Sequence, residues 1–174
     1  MWDRWFAGSL LGSLDAAAAA ARARWLKVLP RPLDFVVTQV DPPLSRTLYQ
    51  AEKGVKHAEH AVRDGGAIIL DATCDDGVGP PRFLDLVRRA DSERAARDLI
   101  AHEGYRLGDH KAVRLRALLD RGVRLALLSP TFDEQTASDA GFTILRDLDH
   151  TRRWLASHVD PDGEGAVIED GGHV

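Results

Sequence analysis

The chain has 174 residues, 44% of them hydrophobic and 29% charged, which suits a single ordinary globular core and excludes a disordered or fibrous chain. A formal net charge of −4 and a sequence pI ≈ 6.0 leave no overall basic footprint for nucleic acid, and Arg88-Arg89 and Arg114-Leu115-Arg116 read as solvated helix faces. Cys74 is the only cysteine, so the sequence admits no intrachain disulfide and no cysteine-rich metal site, and it points to a reducing, cytoplasmic setting.

In chain order, residues 1–30 read as helical. Ser13 is a candidate cap, Leu14, Ala18, Ala21, Trp25 and Val28 recur at helical spacing, and Pro30 and Pro32 end the run. The apolar stretch from Trp5 to Leu11 imitates a secretory leader, but Asp3 and Asp15 interrupt it. The chain has no run of ~20 apolar residues that would cross a membrane. Residues 1–33 are therefore assigned to an N-terminal helical segment and residues 34–174 to an α/β domain.

That domain opens with Asp34-Phe35-Val36-Val37-Thr38-Gln39-Val40, a β-branched run typical of a buried strand, broken by Asp41-Pro42-Pro43. The pattern then predicts a helix over Leu48–Arg63, a strand over Ala67–Cys74, and helices over Pro81–Ala90, Ser92–His102 and Asp109–Arg121, with Ser92 and Asp109 as helix starts. Strands over Val123–Leu128, Phe142–Leu145 and Gly165–Ile168 alternate with helices over Asp133–Ala140 and Asp149–His158. Strands separated by helices imply a Rossmann-like, doubly wound, mostly parallel sheet of four or five strands with helices on both faces.

Ligands of such sheets collect beyond the carboxyl ends of the strands, which gathers Asp41-Pro42-Pro43, Tyr49 and Asp75-Asp76-Gly77 at one rim. No Gly-x-Gly-x-x-Gly follows the first strand. Gly77-Val78-Gly79-Pro80 is a poor substitute, because the proline removes an N–H that a phosphate would need.

The helix from Leu48 sorts into two faces at ~100° per residue. Leu48, Ala51, Val55, Ala58 and Val62 form an apolar stripe; Tyr49, Lys53, His57 and His60 collect opposite it, with Gln50 at the margin. An ammonium, a phenol and a carboxamide within one turn suit a small hydroxy acid: the cation for its carboxylate, the other two for its oxygen. A solvated helix face would show the same pattern, and Thr47-x-x-Gln50 also fits a capping box.

His57 and His60 are i,i+3 neighbours but make an incomplete metal site, and they are better placed to tune the potential of a cleft. Cys74 lies beside two carboxylates, which oppose thiolate formation, and reads as structural. Asp75 and Asp76 precede a turn glycine and read as turn or cap residues.

Leu48-Tyr49-Gln50-Ala51-x-Lys53-Gly54, Gly65-Gly66 and Asp75-Asp76-Gly77-x-Gly79 together, in that order, resemble the C-terminal domain of the nickel-dependent lactate racemase family, from about Asp34 to near the chain end. The resemblance implies that Tyr49, Gln50 and Lys53 bind a small 2-hydroxy acid in a cleft between two domains, with His110 where the family carries a tryptophan. A different pocket wall favours a larger or more polar acid than lactate. The loop Asp41-Pro42-Pro43-Leu44-Ser45 also departs from the glycine-rich loop of the family.

The resemblance further implies a nickel-pincer nucleotide and an acid/base histidine pair, both carried by a separate N-terminal domain that residues 1–33 do not resemble. The chain is thus expected to be the substrate-binding part of a racemase or epimerase, without catalytic residues of its own and inactive alone. Met1 with the apolar start Trp2, Trp5 and Phe6 also fits a natural short chain: a stand-alone binding module, or a subunit pairing with a separate catalytic chain. A nucleotide-binding Rossmann-like protein is the third alternative, opposed by the missing glycine fingerprint.

Overall fold

The structure, a computed structural model, describes residues 4–172. Readings placed on Met1, Trp2 and Asp3 lie outside those residues. The chain divides into two compact units, residues 1–30 and residues 31–174.

In the first unit, helix α1 spans Leu10–Trp25. Its cap is Ser9 and not Ser13: the Ser9 hydroxyl accepts from the Gly12 N–H at 3.2 Å, while Ser13 donates back to the Ser9 carbonyl. Ser9 wins because it stands one residue before the first helical turn, where a cap must be.

The second unit alternates as the sequence predicts: β1 (Leu33–Gln39), α2 (Leu48–Ala58), β2 (Val62–Asp71), α3 (Pro81–Arg89), α4 (Glu93–Glu103), α5 (Asp109–Asp120), β3 (Arg124–Leu128), α6 (Glu134–Asp139), β4 (Phe142–Leu145), α7 (Leu148–His158) and β5 (Gly165–Ile168). All four strand pairings are parallel, in the order β4-β3-β2-β1-β5. β1 to β4 advance in one direction and β5 returns to the far side of β1, so the connections carry helices to both faces and the fold is Rossmann-like.

Alternation along each strand splits the core. Val36, Ile68, Leu70, Leu125 and Leu127 pack with α2, α3 and α5, while Ala67, Ile69, Ala126 and Leu145 pack with Trp154 of α7. Helix α2 packs directly on β1 and β2. Gly54 permits this, because a Cβ there would stand 2.7 Å from Val40 and 2.8 Å from Thr38. Leu48, Ala51, Val55 and Ala58 are fully buried, as the apolar stripe predicts.

The helical reading of residues 1–30 contracts to Leu10–Trp25, and most other boundaries move by a residue or so. The α2–β2 junction moves furthest in the second unit: α2 stops at Ala58, and β2 runs from Val62 to Asp71 where the sequence suggested Ala67–Cys74. Val62 is buried, but as a strand residue paired with Leu33 and not as the last member of a helical stripe. The segment extends because it is held from outside: Arg63 bonds Asp34 at 2.7 Å, and Arg121 donates to the Val62 carbonyl at 2.9 Å. At α5 the start agrees but the cap differs: Asp109 is the first helical residue and Gly108, at φ 101°, is the cap.

This division of α2 makes Lys53→Ala a surface change, expected to leave the melting temperature within about 2 °C of wild type. Val55→Asp puts a charge into the core and should cost about 3 kcal/mol or more, or abolish folding. Thermal denaturation followed by circular dichroism checks both; unfolding by Lys53→Ala would make that lysine structural.

Candidate functional site

The carboxyl ends of β1 and β2 deliver two loops to the start of α2. The loop after β2 is pinned at several points: Cys74 N–H donates to the Ser45 carbonyl and Asp76 N–H to the Arg46 carbonyl, both at 2.8 Å, and Arg46 pairs with the Asp76 carboxylate at 2.8 Å. Cys74 is buried, and burial followed by the Asp75 charge pushes its thiol up to about 12, which fits a structural residue.

The same loop occupies the first amides of α2. Leu48 N–H donates to the Gly77 carbonyl at 3.0 Å, Tyr49 N–H to the Val78 carbonyl at 2.9 Å, and Gln50 N–H to the Thr47 hydroxyl at 3.3 Å. With those donors spent, this helix start is not an open anion hole. An anionic ligand here has to be met by side chains.

Three polar side chains stand on the first two turns. Gln50 and Lys53 are exposed, and neither side chain has a hydrogen-bond or ion-pair partner among the described residues. Tyr49 differs from the sequence picture of a free face: it is half-buried, its ring edge-on to Phe83 at 5.7 Å and 75°, with the Lys111 Nζ 4.4 Å from the ring centroid. Gly108 touches the ring as well, since a Cβ there would stand 2.9 Å from Tyr49 Cε2.

His110 is not on this face. It lies on α5, its Nδ1 3.0 Å from the Tyr105 hydroxyl and the two rings stacked at 6.5 Å, in a cleft of ≈ 620 Å³ floored by Ile100 and Val113 and edged by Glu59 and Arg114. The fold thus joins Tyr49, Gln50 and Lys53 on one helix and sets His110 in a neighbouring cleft, bordered by the end of α2 at Glu59, that none of the three lines.

Two residues the sequence reading missed, Glu52 and Lys111, lie beneath the face, together with Arg114, which that reading placed on a solvated helix face and which instead turns toward Glu52. Glu52 is buried to 1% side-chain exposure, with Lys111 Nζ 3.0 Å from one carboxylate oxygen and Arg114 3.5 Å from the other. Arg114 also reaches Glu59 at 3.5 Å. Burial pushes the Glu52 carboxyl up, and Lys111 and Arg114 pull it back. Its position was a signal: Glu52 falls four residues after Leu48 and three before Val55, inside the apolar stripe, where a carboxylate needs a buried cation. Which cation was not legible, because Lys111 is remote in sequence.

The start of α5 is set by a second cluster. Arg82 Nε donates to the Asp109 carboxylate at 3.1 Å and Arg82 Nη1 to Glu103 at 2.7 Å; Arg89 also pairs with Glu103, and the two arginines hold that carboxyl down to about 2. Asp109 accepts from the Arg106 N–H upstream, which is why it does not serve as the forward cap the sequence suggested.

His57 Nδ1 lies 2.6 Å from the Gly171 carbonyl, so it anchors the chain after β5 rather than standing free to tune a cleft. His60 falls beyond the end of α2, 3.5 Å from Glu59. Among the described residues no three His, Cys, Asp or Glu side chains converge on a metal-sized site, and no helix is long and apolar enough to cross a membrane.

Partial desolvation, then the charges of Lys111 and Arg114, lower the His110 pKa from its ordinary 6.5. A lowered imidazole pKa supports the fold above pH ~6.5 and withdraws that support as pH falls through the folded value. The His110 ring signals should therefore titrate with a midpoint below 6.5, and Lys111→Met should raise that midpoint. An NMR pH titration checks this; a wild-type midpoint at or above 6.5 would refute the environment described.

Residues 30–174 match the family described as the lactate racemase C-terminal domain. A lactate racemase of Thermoanaerobacterium thermosaccharolyticum is 27% identical over 144 residues, covering 81% of this chain and 34% of that protein. The solved lactate racemase apoprotein from the same organism superposes with a TM-score of 0.72 at 26% identity, over 83% of this chain and 35% of the other. A Thermotoga maritima protein shares the fold at TM-score 0.58 and 16% identity, over 93% of this chain and 41% of the other. The chain spans about a third of the length of the lactate racemase it matches. It belongs to the lactate racemase C-terminal domain family.

Proposed function

We propose that this chain is the substrate-binding part of a 2-hydroxy acid racemase or epimerase, working in the cytoplasm with a cofactor-bearing N-terminal domain or subunit. The observation that carries the proposal is the start of α2. Tyr49, Gln50 and Lys53 stand there together on a helix whose opposite side is committed to the core, and the Gln50 and Lys53 side chains have no internal partner among the described residues.

Each group has a task suited to its chemistry. The Lys53 ammonium holds the carboxylate, which the spent amides of α2 leave without a backbone donor. The Gln50 carboxamide and the Tyr49 hydroxyl, each able to donate and accept, hold the oxygen at C2 whether it is an alcohol or a carbonyl. Held at both ends, the acid presents one geometry to its reacting partner. His110, in the adjoining cleft, contributes the wall against the substituent at C2.

The nickel-pincer nucleotide of the family does not fit this chain's own donors. Cys74 is buried with a raised thiol pKa, and His57 is engaged by Gly171. The group is assigned to the partner domain together with the acid/base histidines, and the role proposed for this chain is to bind and orient.

Purified alone, the chain should not racemise lactate or any other 2-hydroxy acid. In an assembly with its catalytic partner, the attraction of Lys53 for a carboxylate at ~4 Å is about 4 kcal/mol before desolvation, at an effective dielectric near 20. A net loss of ~2–3 kcal/mol predicts a roughly 30–150-fold fall in kcat/KM for Lys53→Ala, and a smaller one for Lys53→Arg. Steady-state kinetics of both variants is the check. Wild-type activity in Lys53→Ala would remove the carboxylate clamp.

A further inference from the structure

Lys111 is an unusual neighbour for Tyr49. Its ammonium group is nearly buried, and it makes three contacts with one short stretch of α2: a hydrogen bond of 2.5 Å to the Tyr49 carbonyl, an approach of 4.4 Å to the Tyr49 ring centroid, and an ion pair of 3.0 Å with Glu52. Two of the three fall on Tyr49, the residue that presents the phenol, and the third anchors the ammonium to Glu52.

Two roles are open to a lysine so close to a binding face, and charge decides between them. Glu52 and Glu59 balance Lys111 and Arg114, and Lys111 is committed on all sides, so it has no charge to offer a second carboxylate. Lys53 is exposed and unpaired among the described residues. The clamp on an incoming acid is therefore Lys53, and Lys111 acts on Tyr49. Its contact falls on the ring face, Phe83 meets the ring at 75°, and Gly108 leaves no room for a Cβ beside Cε2. The ring is held from three directions.

We propose that Lys111 is a positioning residue: paired with Glu52, it holds the Tyr49 ring so that the hydroxyl meets the substrate oxygen without an entropic cost of ordering at binding. This rests on the assignment of Tyr49, Gln50 and Lys53 as the substrate face.

The test uses the whole chain with 13C-labelled tyrosine rings. Only Tyr49 and Tyr105 contribute signals, and Tyr49→Phe assigns them. In wild type the Tyr49 ring should flip slowly enough to broaden or split its signals. The double variant Glu52→Gln with Lys111→Met removes both charges, so neither is left buried alone. It should keep a wild-type circular dichroism spectrum while the Tyr49 signals collapse to a sharp, averaged pair; Lys111→Arg, which keeps the cation, should retain part of the ordering. Titration with sodium lactate should give about a three- to thirty-fold weaker dissociation constant in the double variant, the range a desolvated cation–ring contact converts to. In a Tyr49→Phe background the double change should add nothing further.

Unchanged Tyr49 signals in the double variant overturn the proposal. Losses that add in full to that of Tyr49→Phe also overturn it, and leave the substrate face standing. If neither lactate nor a larger, more polar 2-hydroxy acid such as malate shifts a signal of the wild-type chain, or if both Lys53→Ala and Tyr49→Phe bind the acid as wild type does, the substrate face itself falls and the proposal with it.

Discussion

A carboxylate buried under a helix constrains everything around it. Glu52 sits in the apolar stripe of α2 with almost no access to water, so the fold must bring it a cation. Lys111 and Arg114 do so from α5, and this bond between two helices fixes how the start of α5 approaches the start of α2. Removing one partner alone would strand a buried charge, which is costlier than losing both.

From that junction the candidate site follows. Helix α2 is pressed to the sheet by the absence of a side chain at Gly54, and its buried residues leave one narrow strip outward. Its first amides are taken by carbonyls of the loop after β2. An anion at this rim would have to be met by side chains, and the strip carries Gln50, Lys53 and Lys56 exposed, with Tyr49 half-buried beside them. Rossmann-like sheets often bind anions through the helix start itself. Here the backbone is committed elsewhere, which accords with the missing glycine fingerprint.

Helices α4 and α5 add a cleft bordered by Glu59 at the end of α2. Arg82, shared by Asp109 and Glu103, ties the beginning of α5 to its neighbours and so places His110 and Tyr105.

The α/β alternation, a mostly parallel sheet of four or five strands and the buried stripe of α2 were legible in the amino-acid sequence, because burial of a strand face or a helix stripe leaves a local periodicity. The family was legible too, from motifs spread in order along the chain. Tertiary structure alone decided the rest. Whether α2 continued to Arg63 or yielded to β2 at Val62 depended on Asp34 and Arg121, far away in sequence. Tyr49 has the same helical phase as Lys53, yet the approach of Lys111, Phe83 and Gly108 half-buries it and leaves Lys53 in water. Glu52 was visible as an anomaly in the stripe, but its partner was not. Periodicity records which side of an element is buried, and only the packing of distant segments determines what it is buried against.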